Sequence, residues 1–276
     1  MRFRTAYVAF PSRAETPPQT APETPLTIAG LLRVPDLDAE GAPRSGVPAV
    51  LICHGSDGVD GRGRYHAEAL EAAGFATLEI DMWAARGTAR GAKARPASVP
   101  QTLADAFAAL AFLATQPEVD PSRIAIVGFS WGGVVSLLCA TRAYADRLGL
   151  PGQRFVAHAA FYPVLWSYNH APGYELRDLT GAAVLIEVGA DDAYDDPEVC
   201  AGFLAALDPQ TRAGIRMTVH AGATHAFDRA QEAKVIHDPA AHKGRGGPVR
   251  FEHNPSAAAA AREELVTFMA AAFESR

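Results

Sequence analysis

From about residue 47 onward, the chain alternates between short apolar runs and longer stretches with helical spacing. The apolar runs end in glycine or in polar turn residues, which is typical of strands buried on both faces of a sheet. This pattern predicts six strands, at 47–55, 75–81, 123–129, 155–161, 182–189 and 215–221.

Helical patterns fill most of the intervening segments, at 64–74, 131–148 and 256–273. A further helix begins near Ser98, where Gln101 completes a capping-box pattern and an apolar stripe follows. Strands that alternate with helices pair in parallel, so we predict an α/β fold with a doubly wound, mostly parallel sheet and helices on both faces.

The chain shows neither an internal repeat nor a linker long enough to divide it, so we expect a single domain over 1–276. The proline-rich stretch 11–25 is predicted to be an extended excursion between two early strands. Segments 161–180 and 228–254 are predicted to be loops on the side of the sheet that carries the pocket.

Composition narrows the class of partner. Hydrophobic residues make up 49% of the 276 residues, and the net charge of −6 gives no reason to expect a nucleic acid or a membrane. No apolar run approaches the roughly 20 residues that span a bilayer, and the first 13 residues do not resemble a signal peptide.

Cys53, Cys139 and Cys200 lack paired spacing, which indicates a reducing compartment. We expect a cytoplasmic protein and make no prediction of its oligomeric state.

The most informative motif is G-x-S-x-G at 128–132, which places Ser130 between a predicted strand and a buried helix. A turn this sharp needs glycine two positions either side of the serine, and it raises the hydroxyl above the sheet at a helix N-terminus. We therefore predict that Ser130 is a nucleophile.

A serine nucleophile needs a base, and this type of fold supplies an acid and then a histidine from later strand ends. The strand at 182–189 runs into Asp191 and Asp192, and the strand at 215–221 leads to His225. Spacing alone leaves the choice between the two aspartates open. Asp195 and Asp196 are expected to be solvated residues that open the next helix.

Acyl transfer also needs two N–H donors for the developing oxyanion. One is expected from Trp131, directly after the nucleophile, and the other from the glycine-containing loop 54–58. His54 is predicted to brace this loop. Cys53 and Cys139 lie inside apolar runs, so we expect them to be small core residues rather than nucleophiles.

With these motifs in place, the chain resembles the dienelactone hydrolase family of α/β-hydrolases from about residue 25. The segments that carry the resemblance are HGSDG (54–58), DMWAARG (81–87), GFSWGG (128–133), GADDAYDDP (189–197) and HAGATHAFD (220–228). The resemblance implies that Asp192 is the acid, that His225 is the base and that Ser56 supplies the second oxyanion donor.

The chain departs from the family pattern at two places. The enzymes that name the family use a cysteine nucleophile where this chain has Ser130, and a glutamate in the oxyanion loop where it has Gly55. Because serine needs only the histidine as base, the two changes are consistent with each other. They favour general ester hydrolysis over dienelactone hydrolysis.

A basic loop follows Asp81 and holds Arg86, Arg90, Lys93 and Arg95. The resemblance implies an arginine here that grips a substrate carboxylate, although Arg86 lies one residue beyond the family spacing. A solvated basic loop is the competing interpretation. Trp83, Tyr162 and Trp166 are expected to form an apolar wall beside the substrate.

We predict a serine hydrolase that cleaves small-molecule carboxylic esters through an acyl-serine intermediate, with no cofactor and no metal. A thioesterase or peptidase with the same triad is an alternative, as is a catalytically inactive binding protein on this fold. A metal requirement would direct attention to His237, His242 and His253.

Overall fold

The computed structural model describes residues 2–14, 24–36, 45–87, 95–195 and 197–275. Ten strands are present in these residues. They are β1 (Phe3–Ala14), β2 (Thr24–Pro35), β3 (Val47–Cys53), β4 (Ala76–Asp81), β5 (Val119–Phe129), β6 (Ala157–Phe161), β7 (Ala183–Gly189), β8 (Ile215–His220), β9 (Lys234–Asp238) and β10 (Gly247–Phe251).

Eight of these strands form one sheet in the order β1-β2-β4-β3-β5-β6-β7-β8. The six strands from β4 to β8 in this order run parallel, and β1 and β2 add an antiparallel hairpin at one edge. The six predicted strands are all confirmed within two residues, except that β5 begins earlier, at Val119. The ends of β1 and β2 extend into the predicted excursion at 11–25, and its centre lies outside the described residues.

The side chains of β3 point alternately to the two faces of the sheet, and their packing shows that both faces are covered. Leu51 and Cys53 pack into one apolar cluster, whereas Val50 and Ile52 pack into the other, and all four are fully buried. A strand whose two faces are both buried must be apolar at every position, as this run is.

The helices lie between strands along the chain, except for the last helix, which follows the final strand. They are α1 (Gly61–Ala72), α2 (Leu103–Ala114), α3 (Trp131–Cys139), α4 (Arg142–Leu148), α5 (Pro197–Ala206), α6 (Pro209–Ala213), α7 (Ala241–Gly244) and α8 (Pro255–Glu274). The apolar sides of α1 and α8 pack on one face, and those of α2 and α3 pack on the other. The predicted doubly wound α/β architecture is therefore confirmed.

The predicted helix at 131–148 is instead two helices, because the chain becomes extended at Thr141. Thr141 forms an isolated bridge with Leu179, and its hydroxyl donates to the carbonyl of Leu138 at 2.8 Å. A contact far along the chain therefore interrupts a continuous helical pattern.

Segment 228–254, predicted to be a loop, contains the hairpin of β9 and β10. The two strands pair antiparallel with Ile236 opposite Val249 and Lys234 opposite Phe251. In the part of the chain that the structure describes, no helix has both the length and the apolar character needed to cross a membrane.

Candidate active site

Ser130 lies at the turn between β5 and α3, in the strained backbone conformation expected of a nucleophile on a sharp turn. Its φ is 51° and its ψ is −108°, a combination that L-residues rarely adopt. The turn is held by bonds from the Ser130 N–H to the Phe161 carbonyl and from the Val134 N–H to the Ser130 carbonyl, both 2.9 Å.

The flanking glycines are required by close packing of the backbone. A Cβ at Gly128 would lie 2.0 Å from the carbonyl oxygen of Gly132, and a Cβ at Gly132 would lie 2.1 Å from the carbonyl oxygen of Cys53. The G-x-S-x-G spacing therefore reflects a physical requirement of this turn.

The side chains of Ser130, His225 and Asp192, which follow three separate strands, lie in contact. Nε2 of His225 lies 2.8 Å from Oγ of Ser130, and Nδ1 of His225 lies 2.7 Å from Oδ2 of Asp192. The histidine and the aspartate are buried, while Ser130 is partly exposed. The structure thus brings together the three residues that the sequence predicted as nucleophile, base and acid.

The geometry also decides between the two adjacent aspartates that the sequence left open. Asp192 is 5% exposed and contacts His225, whereas the side chain of Asp191 is exposed. The peptide N–H of Asp191 donates to the carbonyl of Ala223 at 2.9 Å. Asp192 is therefore the carboxylate placed to orient the imidazole.

The expectation for Asp195 is wrong. Its side chain is 4% exposed and accepts the backbone N–H groups of Leu165 and Trp166, each at 2.8 Å. Burial, with a smaller contribution from the charge of Asp192, raises the pKa of Asp195 to about 7. Asp196 lies outside the described residues.

Aromatic rings enclose the imidazole of His225. The centroids of Tyr194 and Tyr162 lie 4.4 Å and 4.8 Å from its centroid, and Phe251 of β10 stands edge-on at 5.7 Å. Packing on three sides limits rotation of the ring, so the imidazole is held in line with Ser130 and Asp192.

The loop after β3 turns tightly beside Ser130. The N–H of Gly58 donates to the carbonyl of Gly55 at 3.0 Å, and Ser56 lies between them. Trp131 opens α3, where the first N–H groups have no partner within the helix. Ser56 and Trp131 therefore lie where the sequence places the two oxyanion donors, and their role stays a prediction.

His54 braces this loop, as predicted. Its Nδ1 lies 2.8 Å from the carbonyl oxygen of Gly55, and its Nε2 accepts the N–H of Met82 at 2.9 Å. A ring nitrogen that accepts a hydrogen bond must be unprotonated, and burial lowers the pKa of His54 to about 4. The histidine is therefore a neutral link between the loops after β3 and β4.

A cavity of about 190 Å³ opens beside Ser130 and His225. Its lining includes Ser56 of the loop after β3, Ile236 of β9 and Phe251 of β10. The hairpin that the sequence did not predict therefore forms part of the site.

The structure does not bring Arg86 to this cavity, which corrects the predicted substrate contact. Its Nη1 donates to Oδ2 of Asp105 at 2.7 Å and to the carbonyl of Met82 at 2.8 Å. Asp105 is fully buried, so Arg86 neutralises a carboxylate in the protein interior rather than contacting the cavity. Arg90 and Lys93 lie outside the described residues.

The predicted aromatic wall is also absent from the cavity beside Ser130. Trp83 is 2% exposed and donates its indole N–H to the carbonyl of Ser56, so it supports the loop after β3. Tyr162 is buried, and its hydroxyl donates to Asp228 at 2.5 Å. Trp166 lines a different cavity, of about 700 Å³, beside α5.

Two arginines that the sequence did not single out for the site lie close to it. Arg62 of α1 lines the cavity and is held by Asp60. A Cβ at Gly55 would lie 2.9 Å from Nη2 of Arg62, so the guanidinium occupies the space that a side chain there would need. Arg95 donates to Oγ of Ser56 at 3.0 Å and stands over the ring of Trp131. Only the folded chain reveals either contact.

Within the described ranges, the His, Cys, Asp and Glu side chains form no group able to hold a metal ion. Cys53, Cys139 and Cys200 are buried. Burial raises the pKa of the Cys53 thiol, as expected of a cysteine that serves as a core residue.

Three solved structures are similar to this chain over most of its length. They are the carboxylesterase Cest-2923 from Lactobacillus plantarum (18% identity, 99% of this chain and 98% of that chain, TM-score 0.66), an esterase from Pyrobaculum calidifontis (15%, 98% and 86%, 0.61) and esterase 2 from Thermogutta terrifontis phosphonylated by cyclosarin (17%, 86% and 86%, 0.55). At these identities the likeness shows the α/β-hydrolase fold.

No curated protein matches the sequence. The family model of the dienelactone hydrolase family matches residues 39–273, which include the turn at Ser130, the ends of β7 and β8 and the loop after β3. The chain therefore belongs to the dienelactone hydrolase family and is an α/β-hydrolase that acts on ester bonds.

Proposed function

We propose that this protein is a serine carboxylesterase that cleaves small-molecule esters through an acyl-serine intermediate. The observation that carries the proposal is the unbroken contact from Ser130 Oγ through His225 to Asp192, at 2.8 Å and 2.7 Å. These distances are those of a hydrogen-bonded nucleophile, base and orienting acid.

In the first half of the reaction, Oγ of Ser130 attacks the ester carbonyl carbon while Nε2 of His225 takes the hydroxyl proton. Asp192 holds the imidazole in the required tautomer and stabilises the imidazolium that forms. The carbonyl oxygen, now carrying a negative charge, accepts the N–H groups of Ser56 and Trp131. When the C–O bond breaks, His225 returns its proton to the departing alcohol.

In the second half, a water molecule takes the place of the alcohol. His225 removes a proton from this water, which attacks the acyl carbon, and the same proton then returns to Oγ of Ser130. The products are a carboxylic acid and the free enzyme. Every proton is carried by one imidazole, so the scheme requires no metal and no cofactor.

The small cavity and the buried cysteines support the rest of the proposal. The cavity of about 190 Å³ beside Ser130 has room for a small ester. Three buried thiols suit a reducing compartment, so we propose that the reaction takes place in the cytoplasm.

A fluorophosphonate probe tests the proposed nucleophile directly. The wild-type protein is expected to take up one probe molecule at Ser130, located by peptide mass spectrometry, and to lose esterase activity in proportion. Ser136, buried within α3, provides a matched Ser→Ala control that keeps labelling. Labelling that survives in Ser130→Ala would overturn the proposal, and an unlabelled wild type would favour a binding protein.

Parallel assays with a thioester and a peptide measure whether the same triad acts as a thioesterase or a peptidase.

A further inference from the structure

The hairpin of β9 and β10 covers one side of the catalytic cavity and has no role in the mechanism above. Along β9, Lys234, Ile236 and Asp238 line the cavity, whereas the intervening Val235 is 64% exposed on the opposite side of the strand. This is the alternation expected of a strand that offers one face to a ligand. Ile236 is itself 39% exposed, a large apolar side chain left uncovered beside Ser130.

The position of the hairpin relative to His225 decides which part of a substrate it can meet. Phe251 of β10 stands edge-on to the imidazole at 5.7 Å, and it pairs with Lys234 of β9. The imidazole must deliver its proton to the leaving oxygen, so the alcohol portion of the ester lies on the His225 side. The carbonyl oxygen of the same ester lies toward Ser56 and Trp131, whose N–H groups are proposed to hold it.

Tyr194 links the hairpin to Asp192 and His225. The hydroxyl of Tyr194 donates to Oδ2 of Asp238 in β9 at 2.8 Å, and the backbone N–H of Tyr194 donates to Oδ1 of Asp192 at 2.9 Å. Its ring packs on His225 with the centroids 4.4 Å apart. Asp238 also accepts the N–H of Ala240 at 2.8 Å, which fixes the end of the strand.

We propose that β9 is the specificity wall for the alcohol portion of the ester, that Ile236 is its apolar contact, and that Tyr194 positions this wall against the triad. The proposal rests on the ester hydrolysis proposed above and extends it to a substrate class: esters whose alcohol carries an apolar chain. A chain attached to the leaving oxygen covers the exposed face of Ile236 and removes apolar surface from water.

Two substrate series separate this role from a general effect on activity. The first is acetate esters of straight-chain alcohols from methanol to hexanol, followed by acid release at constant pH. The second is p-nitrophenyl esters of straight-chain acids, in which the alcohol portion is constant. Ile236→Ala is compared with Val235→Ala, which shortens the neighbouring side chain on the opposite face of the same strand.

In the alcohol series, Ile236→Ala is expected to lower kcat/KM for hexyl acetate about fivefold relative to methyl acetate. In the acyl series its profile should run parallel to that of the wild type, and Val235→Ala should reproduce the wild-type profile in both series. Equal effects of Ile236→Ala on the two series, or the same loss from Val235→Ala, would overturn the proposal.

Tyr194→Phe tests the tie between wall and triad, because it removes the hydroxyl and keeps the ring and the backbone N–H. KM for hexyl acetate is expected to rise several-fold more than kcat falls. Tyr144→Phe, which removes a hydroxyl bonded to the carbonyl of Gly173, is the matched control and should leave both constants unchanged. A fall in kcat with unchanged KM for every alcohol would overturn the positioning role of Tyr194.

The same data distinguish this inference from the proposed function. If the wild type hydrolyses both series and takes up the fluorophosphonate probe but ignores alcohol length, only the specificity wall is wrong. If the wild type hydrolyses neither series and remains unlabelled, the serine esterase assignment fails and the inference fails with it.

Discussion

The backbone N–H of Tyr194 donates to Oδ1 of Asp192 at 2.9 Å, and this leaves Oδ2 of the same carboxylate for Nδ1 of His225. Each oxygen of the acid therefore has its own donor. A carboxylate held in this way cannot rotate without losing one of the two bonds, so the imidazole receives a fixed orientation.

Asp192→Asn is expected to lower kcat by about 10³- to 10⁴-fold, because an amide cannot hold the imidazole in the correct tautomer and stabilise its positive charge. Asp191→Asn, in the adjacent exposed side chain, should change kcat less than about twofold. Steady-state kinetics with p-nitrophenyl acetate measures both variants. If the larger loss appeared in Asp191→Asn, the acid would be misassigned while the fold would stand.

Ser130→Ala and His225→Ala should each lower kcat by about 10⁵- to 10⁶-fold, and the double variant should lose little more. The reason is that base and nucleophile act as one unit, so removing the second partner takes away nothing further. Ser130 is partly exposed, and its loss creates no core cavity. Circular dichroism and thermal unfolding of Ser130→Ala should therefore match the wild type. Losses that multiply in the double variant would contradict the assignment.

The hydrolysis rate should fall toward acid pH, because a protonated imidazole cannot accept the proton of Ser130. It should be unaffected by prolonged treatment with EDTA, because the proposed scheme uses only side chains and backbone N–H groups. Rates measured from pH 5 to 9, with and without the chelator, check both statements. Loss of activity that added Zn²⁺ restores would direct attention to His237, His242 and His253.

Arg86→Ala should destabilise the protein rather than change its specificity. The variant leaves the fully buried carboxylate of Asp105 without its charge partner, a change that typically costs about 3 to 5 kcal/mol. Urea unfolding measures the cost, and Arg95→Ala, whose partner is the hydroxyl of Ser56, should cost much less. On folded protein, esters with and without a free carboxylate should be affected equally. A selective loss for the charged esters would restore Arg86 to the substrate site.

The meeting of Ser130, His225 and Asp192 could be predicted from the sequence because each residue follows a strand end, and strand ends are marked by composition. Glycine at 128 and 132 is fixed by the backbone contacts of the turn, so the motif itself records the geometry. The parallel sheet then brings the ends of β5, β7 and β8 to one edge, which places Ser130, Asp192 and His225 together.

The partners of charged side chains could not be predicted, because they depend on where a side chain points. Arg86 and Asp105 are nineteen residues apart, and only the packing of α2 brings them into contact. The hairpin at 234–251 was missed for another reason. Its first strand is largely exposed and its apolar pattern is weak, so it lacks the signal of a buried strand.

Asp195 provides a prediction about stability that depends on pH. Its pKa is raised to about 7 by burial and by the neighbouring charge of Asp192, whereas an unfolded aspartate titrates near 3.8. The folded state therefore binds a proton more tightly than the unfolded state does. The resulting stabilisation is fully present below about pH 4 and is lost as the pH rises through about 7.

Asp195→Asn removes this titration, so the stability of the wild type relative to the variant should fall by about 2 to 4 kcal/mol between pH 4 and pH 8. The single amide oxygen can accept only one N–H well where the carboxylate accepts those of Leu165 and Trp166, but this loss adds an offset that does not vary with pH. Urea unfolding at several pH values measures the difference, and Asp191→Asn, in the exposed neighbour, should follow the wild type at every pH. Parallel curves for the wild type and Asp195→Asn would show that Asp195 is ionised in the folded protein throughout this range.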